Sequence, residues 1–483
     1  MNLLRFPRWL WMALLLTVFA WGGHQAFAAA SAPAGAEHAV QQAHHAEHTP
    51  PFLVIPFVVL LLMIATGPIF YPHFWHRRYP VIAVVLGALM IFTYLFYFHD
   101  YHRPVHTLAE YVSFIALLGS LYVASGGILI KVDKVGTPLQ NVGMLLIGSV
   151  VSNIIGTTGA SMLLIRPFIR MNRKRIQPYH IIFFIFMISN VGGALTPIGD
   201  PPLFLGYLKG VPFFWVLKKV WFIWLFALVL LALFFYFIDR RNYVKWLGMQ
   251  EEPSESSGKI AFKGKKNFLW LGVVIGAVFL DPAVFDWVPA LEIEGIRVSF
   301  VRELIMLAVM YFSYKYADKE CLRGNEFDFE PIKEVAFLFI GIFGTMIPAL
   351  ALVGEFASSP EGQKLITVDL LYWATGAFSS VLDNAPTYLT FLAAAMAKVG
   401  LDINVPAQVV AFANEHPHYL EAISVAAVFF GAMTYIGNGP NFMVKSIAEQ
   451  VGIRMPSFFG YIMRYSLPML MVVLLIVYFV FFF

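Results

Sequence analysis

Charge is what this sequence has least of. Lys, Arg, Asp and Glu make up 13% of its 483 residues, where an ordinary soluble domain carries roughly 25%. That scarcity excludes a large water-soluble enzyme and a disordered chain. It excludes a nucleic-acid partner too, because a formal net charge of +4 gives a polyanion little to hold. The single cysteine, Cys321, excludes a disulfide framework and any cysteine-built metal or iron–sulfur site. No G-x-x-x-x-G-K-[ST] loop occurs, so ATP is not the energy source, and no H-E-x-x-H signature of a zinc protease occurs either. Apolar residues are plentiful: 59% hydrophobic and 16% aromatic. The fold class that follows is an all-α polytopic membrane protein. Its first partner is the lipid bilayer, it needs no organic cofactor, and it is not an enzyme.

Residues 1–28 read as a secretory signal peptide. Arg5 and Arg8 precede an apolar run from Leu10 to Trp21 and an Ala26-Phe27-Ala28 cleavage site. Residues 29–50 form a His-rich tail with His38, His44, His45 and His48, expected on the periplasmic side. Runs long enough to cross the ~30 Å hydrocarbon core then occur near 51–71, 80–98, 109–130, 179–207, 219–238, 267–285, 299–316, 334–355, 421–444 and 459–482, ten crossings in all. Two further apolar stretches, 138–168 and 369–397, are interrupted by Ser152-Asn153 and by Asp383-Asn384-Ala385-Pro386, and are read as re-entrant hairpins. The division is a first transmembrane half over 51–238, a basic cytoplasmic loop over 239–266 and a second half over 267–483. With the mature N-terminus outside, the inner loops collect 22 of 33 cations and the outer loops eight, Lys209 among them. A bacterial inner membrane is the expected location.

A repeat links the two halves. Residues 193–205, GALTPIGDPPLFL, and 431–443, GAMTYIGNGPNFM, agree at seven of thirteen positions at an offset of 238. Ser152-Asn153 and Asp383-Asn384 stand at an offset of 231. Five crossings separate the two hairpins, so the halves run in opposite directions. Inverted repeats built on discontinuous helices mark secondary transporters. Unwound backbone at membrane depth is tolerated only where it is buried in protein or lines a cavity, and there its freed groups become ligands.

The polar residues at these breaks are the candidate ion and substrate ligands. Asp200 and Asp383 are expensive to place in a membrane, at roughly 2.5–3.5 kcal/mol even on the gentlest scale. Together they supply carboxylates for sodium, or for a proton competing with it. The alternative for each is an aspartate capping a helix beside the break. Asn153 and Asn384 match across the halves. So do Ser152 with Asp383 and Asn438 with Asp200, which leaves each pair with one acid. Thr157, Thr158, Thr196, Thr387 and Thr434 add hydroxyls, and Asn190 lies in the first broken helix. Glu110 opens the third span as a candidate for proton access. A non-transporting sensor or scaffold has no reason to keep acids at the midplane.

Hairpin tips bearing Ser-Asn or Asp-Asn, paired with broken helices bearing Thr-x-x-Gly, resemble the ion-transporter superfamily. Its members include NhaD-type sodium/proton antiporters, arsenite permeases and cation-coupled citrate or dicarboxylate carriers. Ser152–Arg166 and Gly192–Tyr207 look most like proteins labelled sodium/proton antiporter or citrate transporter. The resemblance implies paired hairpins, two opposed broken helices, a sodium site at the tips with Asn153, Thr196, Asp200, Asp383 and Asn384, and a homodimer. The expected activity is exchange of sodium or lithium for protons, with cation-coupled symport of citrate or another small carboxylate as the alternative. Ser152 stands where the antiporters carry an acid, and Pro201-Pro202 where they carry hydroxyls. Both departures leave room for an organic anion at helix N-termini beside Asn153 and Thr157.

Overall fold

A computed structural model describes residues 49–132, 135–248, 260–280, 285, 287–289, 291–293 and 296–483. The expected leader and nearly all of the His-rich tail lie outside the described residues. Residues 1–52 group apart from Leu53–Phe483, and all that follows concerns the second unit.

Its longer helices are α1 Ile55–Phe70, α2 Pro72–Phe92, α3 His102–Gly126, α4 Pro138–Asn172, α5 Pro178–Met187, α6 Pro201–Lys209, α7 Trp215–Leu247 and α8 Lys265–Val278. After these come α9 Val301–Lys315, α10 Glu330–Ser358, α11 Val368–Val381, α12 Asn384–Lys398, α13 Pro406–Glu415, α14 Pro417–Phe430, α15 Gly439–Gln450 and α16 Phe458–Phe481. Among the described residues strand is confined to two short ribbons: β1 Leu129–Val132 with β2 Ile260–Lys263, and β3 Leu291–Ile293 with β4 Ile296–Val298. The chain is an all-α polytopic membrane protein. Among the described residues, seven helical segments are long and apolar enough to cross a bilayer, one of them α4, which folds back on itself. The expected crossings at 267–285 and 299–316 are shorter, since α8 and α9 have 14 and 15 residues, about 21–23 Å of helix. Helix α7 runs past residue 238 to Leu247, so Asp239 lies inside it, fully buried, and not in a solvated loop.

Both interrupted stretches double back. A straight α4 would place Asn141 and Asn172 about 46 Å apart. Instead their side-chain amides exchange hydrogen bonds at 2.8 and 2.9 Å. The bend is at Gly156, with φ 79° and ψ 154°, a backbone region that side-chain-bearing residues avoid. The turn is therefore three residues beyond the expected Ser152-Asn153 break. The first limb starts on a capping box, Thr137 with Gln140. In the second hairpin α11 and α12 meet at an extended Leu382-Asp383, and Lys398 Nζ at the far end reaches back to Ile366 O.

Two sets of helices emerge from the packing. Helices α1, α2, α3, α8, α9 and α10 pack on one another as a frame. The hairpins and broken helices pack with α7, α14 and α16 as a core, and the two sets meet where α3 touches α4 and α6 and where α10 touches α12.

Candidate functional site at the crossing of the two halves

The two broken helices share one design. Helix α5 ends near Met187, a 3-10 turn follows at Val191–Gly193, and helix resumes at Pro201. In the other half α14 ends at Phe430, a 3-10 turn covers Gly431–Met433, and helix resumes at Gly439. Asp200 (φ −140°, ψ 143°) and Asn438 (φ −152°, ψ 141°) are extended alike just before the restart. For Asp200 the cause is local. A residue before proline is pushed out of the helical region, and Pro201 is pre-set for a first helical turn. Thr196 Oγ1 accepts from Gly199 N and Thr434 Oγ1 from Gly437 N, both at 3.1 Å. A side chain on Gly199 would lie 2.1 Å from Gly193 O, and one on Gly437 2.6 Å from Gly431 O. Only glycine permits either loop.

Buried unwound backbone must find partners, and the hairpins supply them. Ser149 Oγ donates to Met187 O at 3.0 Å and Ser152 Oγ to Ile188 O at 2.8 Å. Asn153 Nδ2 donates to Gly192 O at 2.6 Å, and its Oδ1 accepts from Leu195 N at 2.8 Å. Thr196 Oγ1 donates to Asn153 O, and Thr434 Oγ1 to Ser380 O. Ser152, Asn153, Thr196 and Thr434 are thus engaged in holding the breaks open. Thr387 bonds Asp383 O within its own helix at 2.9 Å.

Asp200 is different. Its side chain does not cap α6, and it is 1% exposed. Thr157 Oγ1, from the first hairpin, donates to Oδ1 at 2.8 Å. Asn438 Nδ2, from the second broken helix, donates to the same oxygen at 2.9 Å. Asn384 Nδ2, from the second hairpin, donates to Oδ2 at 2.6 Å. All four discontinuous elements therefore meet on one carboxylate. Asp383, by contrast, caps α12 by accepting from Ala385 N at 3.0 Å, and is half-buried. Asn384 Oδ1 and Asn190 Oδ1 are buried with no hydrogen-bond partner among the described residues. Both amides flank Gly431, where a side chain would come within 3.0 Å of Asn190 Oδ1 and 3.5 Å of Asn384 Nδ2. Carboxylate and amide oxygens in such number suit a hard cation. Among the described residues no group of three or more His, Cys, Asp and Glu that could hold a metal ion occurs.

Two members of the site escape a reading by repeat. Asn441 stands opposite Leu203, so identity between the halves hides it. Yet its Oδ1 accepts from Asn190 Nδ2 at 2.7 Å, tying one broken helix to the other. Trp224 Nε1 donates to Gly192 O at 3.1 Å, and its place in an apolar run gives no hint of this. Glu110 is buried but lies in a separate cluster with Lys209.

Comparison with protein families carries this geometry to a class. Residues 46–482 match a family described as "Putative citrate transport". The chain belongs to that family. Membership places it in the ion and citrate transporter superfamily and makes it a multi-pass membrane protein of a transporter family. A comparison with curated proteins gave no match.

Proposed function

We propose that this member of the citrate-transport family is a secondary transporter of the bacterial inner membrane that couples a cation, sodium or a proton, to movement of citrate or another small carboxylate. The observation that carries this reading is the meeting of Thr157, Asn384 and Asn438 on Asp200. Three neutral donors orient the carboxylate and leave its charge uncompensated. A bound sodium ion or proton neutralises it, and a neutralised centre can accept an anion that a bare carboxylate would repel. The orphan oxygens of Asn384 and Asn190 are further cation ligands in this scheme, with Asp383 at the neighbouring hairpin tip.

A second reading is exchange of sodium or lithium for protons. What favours it is that Asp200 is held by neutral donors alone, with no basic side chain bonded to it among the described residues. Reconstituted vesicles separate the two. Under the first reading, labelled citrate accumulates when an inward sodium or proton gradient is imposed, and Asp200→Asn abolishes the gradient's effect. Under the second, sodium or lithium collapses an acid-inside gradient in the absence of citrate. Citrate uptake indifferent to both gradients would overturn the coupling scheme.

A further inference from the structure

Helix α6 is a rod of nine residues, about 13 Å long. Asp200 stands at its start and Lys209 at its end. Gly210, in the left-handed region at φ 118°, stops it and packs against Pro406 at the head of α13. Loop charge suggested a solvated Lys209, but the side chain is 5% exposed. Its Nζ lies 2.9 Å from Glu110 Oε1, itself 8% exposed, and donates to Asn404 Oδ1 at 3.2 Å. Glu110 belongs to frame helix α3 and also faces His106 Nδ1 at 3.3 Å. Two contacts of Tyr207 reinforce the same end. Tyr207 OH donates to Val278 O of α8 at 3.1 Å, and the Arg302 guanidinium of α9 lies 6.0 Å from the Tyr207 ring. Three frame helices thus grip the far end of the rod that carries the central carboxylate.

Among the described residues, no ion pair ties α15 to a frame helix in this way. At the repeat's offset of 238, Lys209 corresponds to Ile447, and the residue before α15 is the neutral Asn438. A buried ion pair loses much of its attraction's benefit to desolvation, so a merely structural fastening would be as well served by apolar contact. Among the described residues the pair stands on the broken helix that bears the acid, and not on α15.

We infer that Lys209 and Glu110 are positioning residues for the coupling cation: their ion pair fixes where α6 sits along its axis, and so where Asp200 meets Asn384 and Asn438. This rests on the reading of Asp200 as the coupling carboxylate. A displacement of ~1 Å at a reacting centre can cost a hundredfold, so a smaller slip of a rod is enough to register.

The test uses full-length protein in vesicles, with uptake of labelled citrate measured against sodium concentration and against pH. Lys209→Met and Glu110→Gln are expected to raise the half-saturating cation concentration by about tenfold at little change in maximal rate. Lys209→Arg, which keeps the charge, should restore it, and the exchanged pair Glu110→Lys with Lys209→Glu should recover part of it. Where Lys209→Met does not fold, the nearly isosteric Glu110→Gln carries the test. Asp200→Asn in the same assay separates the two claims. Cation dependence that survives Asp200→Asn removes the coupling reading. Cation dependence lost in Asp200→Asn, but with wild-type half-saturation in both Lys209→Met and Glu110→Gln, overturns the positioning role alone.

Discussion

Asn384 donates to Asp200 at 2.6 Å across 184 residues of sequence, joining the second hairpin to the first broken helix. A hydrogen bond to a charged group contributes about 1.5–3 kcal/mol, and breaking this one also loosens the hairpin tip. Asn384→Ala is therefore expected to weaken the apparent cation affinity by roughly 10- to 100-fold while the protein still inserts. Asn384→Asp places a second acid on Asp200 and should shift the acid limb of the uptake profile upwards, because two adjacent carboxylates share a proton. Uptake measured over a sodium titration checks the first substitution, and a pH series checks the second.

At the roots of the first hairpin a different acid is at work. Asp239 accepts from Asn141 Nδ2 at 2.9 Å, Arg175 Nη2 at 2.9 Å and Tyr179 OH at 2.7 Å, and lies 3.0 Å from His180 Nε2. Arg175 Nη2 in turn donates to Gly136 O at 2.8 Å. The network bolts both limbs of α4 to α5 and α7, far along the hairpin from Asp200. Removing one partner of a buried ion pair costs about 3–5 kcal/mol. Asp239→Asn should lower the melting temperature in detergent by several degrees without moving the half-saturating cation concentration of the folded fraction. A melting curve indistinguishable from wild type would show that the network adds nothing to stability.

How much of this could be read from the chain alone depends on what each residue does for the backbone. The matched breaks and their acids were legible, because a paired Gly/Pro pattern in two apolar spans has no packing explanation. So were Asn384 and Asn438, which the repeat sets against Asn153 and Asp200. The roles within the first hairpin were not. Polarity drew attention to Ser152-Asn153, whereas the bend needs a residue without a Cβ and sits at Gly156. Ser152 and Asn153 serve carbonyls freed by a helix 36 and 39 residues away, a demand no local pattern announces. Asp383 turned out to cap its helix while Asp200 did not, and that choice is made by tertiary partners. Lys209 and Asp239 read as loop charges because charge at a span's end is ordinarily solvated. Their partners come from elements 99 and 64 residues distant, the latter being Arg175.

The bend at Gly156 carries its own consequence. A Cβ there would come within 3.3 Å of Ile198 O, and the backbone conformation itself costs about 1–3 kcal/mol for a residue with a side chain. Ile198 lies two residues before Asp200, and Thr157, next to the bend, bonds it. Gly156→Ala is expected to reduce uptake several-fold and to lower thermal stability together, in contrast to Asp239→Asn, which affects stability alone. Parallel uptake and melting measurements on the two variants make the comparison.

Outside the membrane-spanning segments, Glu320 holds the ribbon of β1 and β2. It accepts from Lys131 Nζ at 2.7 Å and from Lys263 Nζ at 2.8 and 2.6 Å. These hydrogen bonds, Lys131's first, hold its carboxyl at about 2 in place of the ordinary 4.5. Because the folded value is depressed, the stabilisation is fully present above the unfolded value and disappears as pH falls from 4.5 towards 2. Amide exchange of Ile130 and Phe262, corrected for intrinsic rates, should therefore show constant protection between about pH 8 and about pH 5 and lose it under stronger acid. The carboxylate is half exposed, at 51%, so molar salt should weaken the same protection. In Glu320→Gln the protection at neutral pH should already be reduced and the acid transition absent. An acid transition that persists in Glu320→Gln would assign it to a titrating group other than this carboxylate.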